Sequence, residues 1–319
     1  CHVVSVHPVG KLRPLLDQQN IDVTGCTYRG KYGWRSHLEL RRKIKSNPAD
    51  ATIVTGPTLS SILAVKARDR DRQILSVHFH HQGVKPGWQW RLLYSVALKK
   101  FKTITFPSNF VRREAEEILP ALEPVTTTLR NPIRMPSRVS SREKIRARNR
   151  LNLPHDAPVI GNAGQLIERK RFDIFLRTAA QVLQKYPDAQ FVVAGDGPRR
   201  EELEALARKL DIASSVQWLG WKKDLTSFYR SLDVLLFNSD WDALGMTPVE
   251  AMSYGVPIVA SVIHGGLGEI ISSPEVGYLY REHDLSELTR VVTHLIDEPS
   301  RAATLGHAGR EHIAESCSM

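Results

Sequence analysis

Short apolar runs recur along the chain, separated by longer segments whose apolar positions fall three and four apart. The runs at 2–6, 21–26, 51–55, 74–78, Thr103–Phe106 and 125–129 read as buried strands. Between them, 12–19, Trp34–Ser46, a segment from Gly56-Pro57 to about Ala67, 88–102 and 110–119 follow helical spacing. The second half repeats the alternation. Strands are predicted at 158–162, Gln190–Ala194, 216–219, Val234–Phe237 and Ile258–Ser261, and helices at 173–186, 201–210, 225–231, 285–296 and 301–314. Strands alternating with helices at this interval predict parallel sheets with helices on both faces. The Pro- and Ser-containing segment 135–141 divides the chain into a first domain, 1–134, and a second, 135–319. Ser140 with Glu143 then forms a capping box for a helix reaching Leu151.

The chain is organised around residues 239–271, SDWDALGMTPVEAMSYGVPIVASVIHGGLGEII. A polar turn holds Asp240 and Asp242. A helix follows, with Thr247 as N-cap and Pro248 at its first position, closed by Gly255. A strand and the Gly265-Gly266 turn complete the stretch. A helix that starts at the tips of parallel strands offers N–H groups and a positive dipole end to an anion such as diphosphate, here at Gly245 to Val249. Asp242 and Glu250 are placed to flank that position. On spacing alone a turn residue and a solvated helix residue are the favoured readings.

Composition narrows the class. Apolar residues make up 42% of the 319, enough for two ordinary cores, and no apolar run reaches the ~18 residues that span a bilayer. The sequence carries no signal peptide and does not begin with Met. Cys1, Cys26 and Cys317 are scattered and odd in number, with neither metal spacing nor a disulfide framework, which suits a reducing cytoplasm. Charge is lopsided. Residues 1–150 hold 28 Lys and Arg against 11 Asp and Glu, a net of +17, whereas 151–319 hold 16 against 23, a net of −7. The first half therefore either meets an anionic partner or is a solvated basic surface.

Two further segments carry chemistry. His78 closes a strand, where open α/β sheets place ligands, and His80 and His81 follow. Their spacing is not the helical pair that metal sites favour, and no Cys or carboxylate is near in sequence. A substrate-contacting or simply polar loop is expected there. The helix at 88–102 aligns Trp90, Leu93, Tyr94, Ala97, Leu98 and Phe101, and crowds Lys99, Lys100 and Lys102 at its end, where the dipole favours cations. It faces either a core or anionic headgroups.

The order of residues from Asp242 to Glu269 resembles the signature of the retaining glycosyltransferases of family 4. That pattern is an acidic residue, seven others and Glu, then Ala-Met, Gly-x-Pro and Gly-Gly-x-x-Glu. Here these are Asp242, Glu250, Ala251-Met252, Gly255-Val256-Pro257 and Gly265-Gly266-Leu267-Gly268-Glu269. Residues 164–173, GQLIERKRFD, resemble the same family's Gly-Arg-Leu-x-x-x-Lys-Gly-x-Asp, and 195–198 match its Gly-Asp-Gly-Pro. The departures include Asp242 where Glu is usual and Gln165 where Arg is usual.

The resemblance implies an α/β GT-B fold, two Rossmann-like domains with parallel sheets facing across a cleft. The first would bind an acceptor and the second a nucleotide-diphosphate sugar. It also implies that one βα unit, ~30 residues, precedes Cys1 and that the final helix runs past Met319. Glu250 would bond the ribose hydroxyls. Asp242, with the N–H groups of Ala243, Leu244, Gly245 and Met246, would hold the sugar and the diphosphate. Lys170, beside Gln165 and Arg169, would stabilise charge on the leaving diphosphate. His78 would lie beside donor sugar and acceptor. Asp240-Trp241-Asp242 has the letters of a metal motif but falls inside the signature, so no metal or other cofactor is expected. The expected activity is hexosyl or N-acetylhexosaminyl transfer with retention, in lipopolysaccharide, capsule or glycolipid synthesis. The acceptor would be a glycan or lipid-linked. The expected place is the cytoplasm, free or peripheral on the inner face of the plasma membrane through the basic first half. The alternative is a catalytically impaired nucleotide-sugar-binding or scaffold protein of the same fold. Epimerase and phosphorylase motifs are not seen, and no aromatic–basic interleaving points to nucleic acid.

Overall fold

The computed structural model describes residues 1–5, 13–26, 34–56, 58–78, 81, 86–261, 264–281 and 284–317. The chain divides into two compact units, Cys1–Leu129 and Arg130–Met319. Residues 130–134, expected with the first domain, count with the second, where the Ile133 N–H donates to the Cys317 carbonyl at 2.8 Å.

The first unit runs β1 (His2–Ser5), α1 (Arg13–Gln18), β2 (Asp22–Gly25), α2 (Trp34–Ser46), β3 (Thr52–Thr55), α3 (Leu59–Ala64), β4 (Gln73–Ser76), α4 (Gly87–Leu98), β5 (Thr103–Phe106), α5 (Asn109–Ile118) and β6 (Thr126–Thr128). Val6 and Leu12, expected at element ends, lie outside the described residues. Strands β3, β4, β5 and β6 form one parallel sheet in chain order, and β1 pairs with β2, also in parallel. Helix α4 is core-facing: Trp90, Leu93, Tyr94 and Ala97 are buried. It ends at Leu98, short of the expected 102. Lys100 turns away, and its ammonium donates to the Leu63 and Val65 carbonyls at 3.2 and 2.6 Å. It therefore satisfies the open end of α3 rather than that of its own helix.

The second unit runs α6 (Ser141–Arg150), β7 (Val159–Ala163), α7 (Phe172–Leu183), β8 (Gln190–Ala194), α8 (Arg200–Lys209), β9 (Val216–Gly220), α9 (Thr226–Ser231), β10 (Val234–Phe237), β11 (Trp241–Asp242), α10 (Met246–Ser253), β12 (Ile258–Ser261), β13 (His264–Gly265), α11 (Leu267–Ile270), β14 (Tyr278–Tyr280), α12 (Leu285–Asp297) and α13 (Pro299–Cys317). The predicted capping box forms: Ser140 Oγ accepts from the Glu143 N–H, and the Glu143 carboxylate accepts from the Ser140 N–H at 3.0 Å.

Six strands make one parallel sheet in the order β14-β12-β10-β7-β8-β9. Their side chains alternate between two buried faces. Ile160, Phe191, Val193 and Leu236 join one apolar cluster, and Val159, Val192, Leu235 and Phe237 the other. That is why these strands read as continuous apolar runs rather than alternating ones. The Asp233 carboxylate ties the lower edge together. It accepts from Lys144 Nζ (2.6 Å), Arg148 Nη2 (2.6 Å) and the Val159 N–H (2.7 Å). Strand order reverses between β7 and β10. In open parallel sheets the loops leaving the strands at such a reversal splay apart and leave a crevice for ligand.

Candidate functional site

The loops leaving β7 and β10 at that reversal carry the residues singled out from sequence. After β7 the chain passes Gly164 and exposed Gln165, buries Leu166, and makes a short 3-10 turn over Glu168–Lys170. Arg171 then adopts a left-handed conformation and α7 begins. This turn aims Lys170 inward, its methylenes 3.9 Å from where a Gly164 side chain would stand. After β10, Asn238 and Ser239 are buried. The Ser239 hydroxyl lies between the carbonyls of Arg169 (3.2 Å) and Trp241 (3.0 Å), and the Asp240 N–H donates to the Arg169 carbonyl (2.8 Å). The two loops are thus joined through their backbones.

Lys170 Nζ donates to Asp242 Oδ2 across 72 positions of sequence. Burial pushes the Lys170 pKa down, and the Asp242 carboxylate opposes that shift. Arg169 Nη1 donates to the Trp241 carbonyl at 3.1 Å and lies 3.9 Å from Asp242 Oδ2, with its guanidinium 4.3 Å from the centroid of the Trp241 ring. Arg171 pairs with both Asp173 and Asp240 at 3.2 Å. Three cations and three carboxylates therefore interlock around one loop pair. Lys170 is the most enclosed of the cations, at 12% side-chain exposure.

Asp242 stands in β11, which pairs in parallel with β13 through Trp241–His264 and Asp242–Gly265. A Cβ on Gly265 would sit 1.8 Å from the Asp242 carbonyl oxygen, and Gly265 has φ +140, so only glycine fits. Ala243 and Leu244 are buried, and helix α10 starts directly after them. Its N-cap is Gly245 in a left-handed conformation, not Thr247 as expected. The Thr247 hydroxyl instead donates to the carbonyl of Ala163, the last residue of β7, at 3.0 Å. That bond pins the first turn of α10 to the strand tip. The earliest N–H groups of the helix, at Met246 and Thr247, have no acceptor within it.

Glu250 lies one turn further along α10. Burial raises its pKa, and a hydrogen bond from the Tyr229 hydroxyl to Oε2 at 2.6 Å opposes the rise. The same burial and the facing carboxylate push the Tyr229 phenol up. Sequence gave no signal for Tyr229, which is one buried aromatic position of α9. Nor did it separate Ser239 from the surrounding turn.

The histidines divide. His78, in the first unit, follows β4; its Nε2 lies 2.9 Å from Ser76 Oγ, and partial burial lowers its pKa. His80 lies outside the described residues. His81 is not a polar loop residue. It is buried, with Nε2 2.5 Å from the Tyr94 hydroxyl, Nδ1 3.4 Å from Glu114 Oε2, and its ring edge-on to Trp90 at 4.9 Å. The apolar side of α4 captures it. Among the described residues, no group of three or more His, Cys, Asp or Glu is placed to hold a metal, and no helix is long and apolar enough to cross a membrane.

The GDP-mannose-dependent monoacylated alpha-(1-6)-phosphatidylinositol monomannoside mannosyltransferase of Corynebacterium glutamicum is 29% identical over 180 residues, 54% of this chain and 46% of its own length. The lipopolysaccharide core biosynthesis glycosyltransferase LpsE of Rhizobium meliloti is 27% identical over 166 residues, 52% and 47%. The matched part thus spans about half the length of these curated relatives. By structure, Anabaena Alr3699/HepE in complex with UDP and glucose superposes with a TM-score of 0.84 at 20% identity, covering 99% of this chain and 88% of that one. This likeness shows the fold, α/β with parallel sheets of the GT-B class. Residues 143–312, more than half of the chain and nearly all of the second unit, match the model described as glycosyl transferases group 1, and the chain belongs to that family.

Proposed function

We propose that the protein transfers a sugar from a nucleotide-diphosphate sugar to a glycan or lipid-linked acceptor with retention of anomeric configuration. The observation that carries this reading is the Lys170–Asp242 pair at the reversal point, beside the start of α10 and one turn from Glu250. A diphosphate needs a buried cation and helix N–H groups. A ribose needs a carboxylate acceptor. A neutral sugar needs a second carboxylate near the diphosphate. All three lie on one end of one sheet.

In this reading Glu250 accepts from the ribose hydroxyls. Asp242 and the backbone from Ala243 to Met246 hold the sugar and the diphosphate, with Gln165 and Arg169 at the rim. The bond from the anomeric carbon to the diphosphate oxygen breaks, and its electron pair leaves with the nucleotide. The acceptor oxygen takes the anomeric carbon on the same face, and its proton passes to the departing phosphate. Lys170 stabilises that developing charge, a role that acts on the transition state more than on the ground state. His78 borders the acceptor. Lys170 takes the place a metal would fill, so no metal is required. UDP in the superposed HepE complex supports a uridine donor. The phosphatidylinositol- and lipopolysaccharide-directed relatives support a cell-surface glycan product.

A membrane-borne acceptor is favoured by the first unit. Exposed Trp88 and Leu92 share one face of α4, and exposed Leu59 and Leu63 one face of α3. Helix α3 packs against both α4 and α2, and α2 carries exposed Arg41, Arg42 and Lys45. Apolar and cationic side chains side by side fit an anionic lipid surface. Pelleting with anionic vesicles that falls with salt supports this; pelleting with neutral vesicles alone refutes it.

The deciding experiment is a panel of UDP-, GDP- and ADP-sugars with EDTA present, read by calorimetry and by nucleotide release. One donor bound and slowly hydrolysed is expected. Binding without any turnover, with or without added divalent cation, selects the scaffold alternative. Turnover only with the cation overturns the metal-free mechanism.

A further inference from the structure

We infer that Tyr229 is a positioning residue for the nucleoside: its hydroxyl holds one oxygen of Glu250 so that the other is turned to the ribose diol. The inference rests on the donor-binding reading of Glu250 and assigns a residue that the signature motifs do not contain.

A glutamate side chain has three rotatable bonds, and one that reaches a ligand from a helix loses rotamer freedom on binding unless something holds it beforehand. Here the holder is rigid. Tyr229 is 3% exposed. Its ring stacks on Tyr254 with centroids 5.4 Å apart and meets Phe228 edge-on at 5.1 Å. The Tyr254 hydroxyl is itself engaged with Thr226 Oγ1 at 3.1 Å. The Glu250 main chain is fixed as well, its carbonyl accepting from Ser253 Oγ at 2.6 Å. From this frame the Tyr229 hydroxyl donates to Oε2, leaving Oε1 for the two ribose hydroxyls.

The groups facing the carboxylate are few. Tyr229 comes from α9, and Tyr254, the C-cap of α10 four residues on from Glu250, faces Tyr229. Among the described residues, no lysine, arginine or histidine bonds the Glu250 carboxylate. The phenol is therefore the group that offsets its desolvation. Removing the hydroxyl frees the side chain and also favours the protonated acid, which accepts poorly from a ribose hydroxyl. A tyrosine that merely fills the core moves neither property.

The test is calorimetric titration of the full chain with UDP, or with GDP or ADP should UDP not bind, along the acid limb of its pH profile, for wild type, Tyr229→Phe, Glu250→Ala and the double variant. Tyr229→Phe keeps the stacked ring, so folding is preserved. The expected result is UDP binding weakened about 3- to 10-fold at neutral pH, the net worth of one ordinary intramolecular hydrogen bond. The acid loss of binding should shift to higher pH, and the substitution should have no effect in the Glu250→Ala background. Unchanged or tighter binding by Tyr229→Phe, with Glu250→Ala impaired, overturns this inference and leaves the donor reading standing. Wild-type affinity in Glu250→Ala, or no binding of UDP, GDP or ADP by wild type, overturns the donor reading and this inference with it.

Discussion

Replacing Lys170 with methionine tests the site most directly. Methionine keeps the length of the stem beside Gly164 and removes only the charge. In the fold the change strands Asp242, whose side chain is 21% exposed and retains Arg169 Nη1 at 3.9 Å. Breaking a fully buried pair costs about 3–5 kcal/mol, but residual solvent and the second cation reduce that here to about 1–2 kcal/mol. The folded state survives, so turnover can be compared. In the proposed reaction the ammonium would face charge that grows as the diphosphate leaves. Removing one such preorganised donor costs about 10²- to 10³-fold in kcat. In the same proposal helix N–H groups and Arg169 would also hold the ground-state diphosphate, so donor Kd should rise by less than about tenfold. The assay is nucleotide release under saturating donor, alongside calorimetry with the nucleotide. Lys209→Met, on an exposed lysine ending α8, is the control. A loss confined to Kd, or a kcat loss no greater than in Lys209→Met, refutes a transition-state role for Lys170.

Three other outcomes follow from geometry. Asp233→Ala leaves Arg148, 5% exposed, without its carboxylate and removes the acceptor for Val159 N–H; with Asp233 itself a third exposed, about 2–3 kcal/mol is expected, read as a lower denaturation midpoint in urea. Glu250→Gln keeps an acceptor for Tyr229 while removing a charge that burial disfavours. The Glu250 pKa is higher folded than unfolded, so its favourable contribution is complete below the unfolded value and is lost as pH rises through the folded one. The variant should therefore melt higher than wild type at neutral pH, lose that advantage in acid, and bind donor less well; equal melting at both pH values contradicts the buried-charge account. Gly195→Ala puts a Cβ 1.9 Å from the Gly164 carbonyl at φ +143, so about 1–3 kcal/mol of stability and a displaced Lys170 loop are expected, measurable by thermal melting and donor titration.

Sequence carried the second unit far. Glycine turns, paired prolines and apolar runs are local chemistry, so β7, β8, β10 and β12 and the loops between them were legible from order alone. The grouping of Lys170 with Asp242 was legible only through the resemblance, which assigns both motifs to one nucleotide-sugar site; the strand reversal that brings their loops together is read from the fold. What escaped was set by packing. His81 follows a strand end like any ligand-facing histidine, yet the buried face of α4 draws it into the core against Tyr94. Thr247 has the side chain of an N-cap, yet the left-handed Gly245 starts the helix two residues earlier and frees the hydroxyl for Ala163. Asp233 and Tyr229 gain their meaning from partners 85 and 21 positions away. No periodicity encodes such partners.

The short β11–β13 pairing has a consequence for anyone who would re-engineer the candidate site. Asp242 and the Gly265-Gly266 turn are fastened by main-chain bonds and by a contact that admits no side chain at Gly265. Side-chain substitutions on either loop leave that seam intact. An exchange of one loop alone for that of a homologue tears it, whatever residues the graft supplies. Chimaeras built at this site should therefore transplant 239–246 and 264–269 together, as a single cassette.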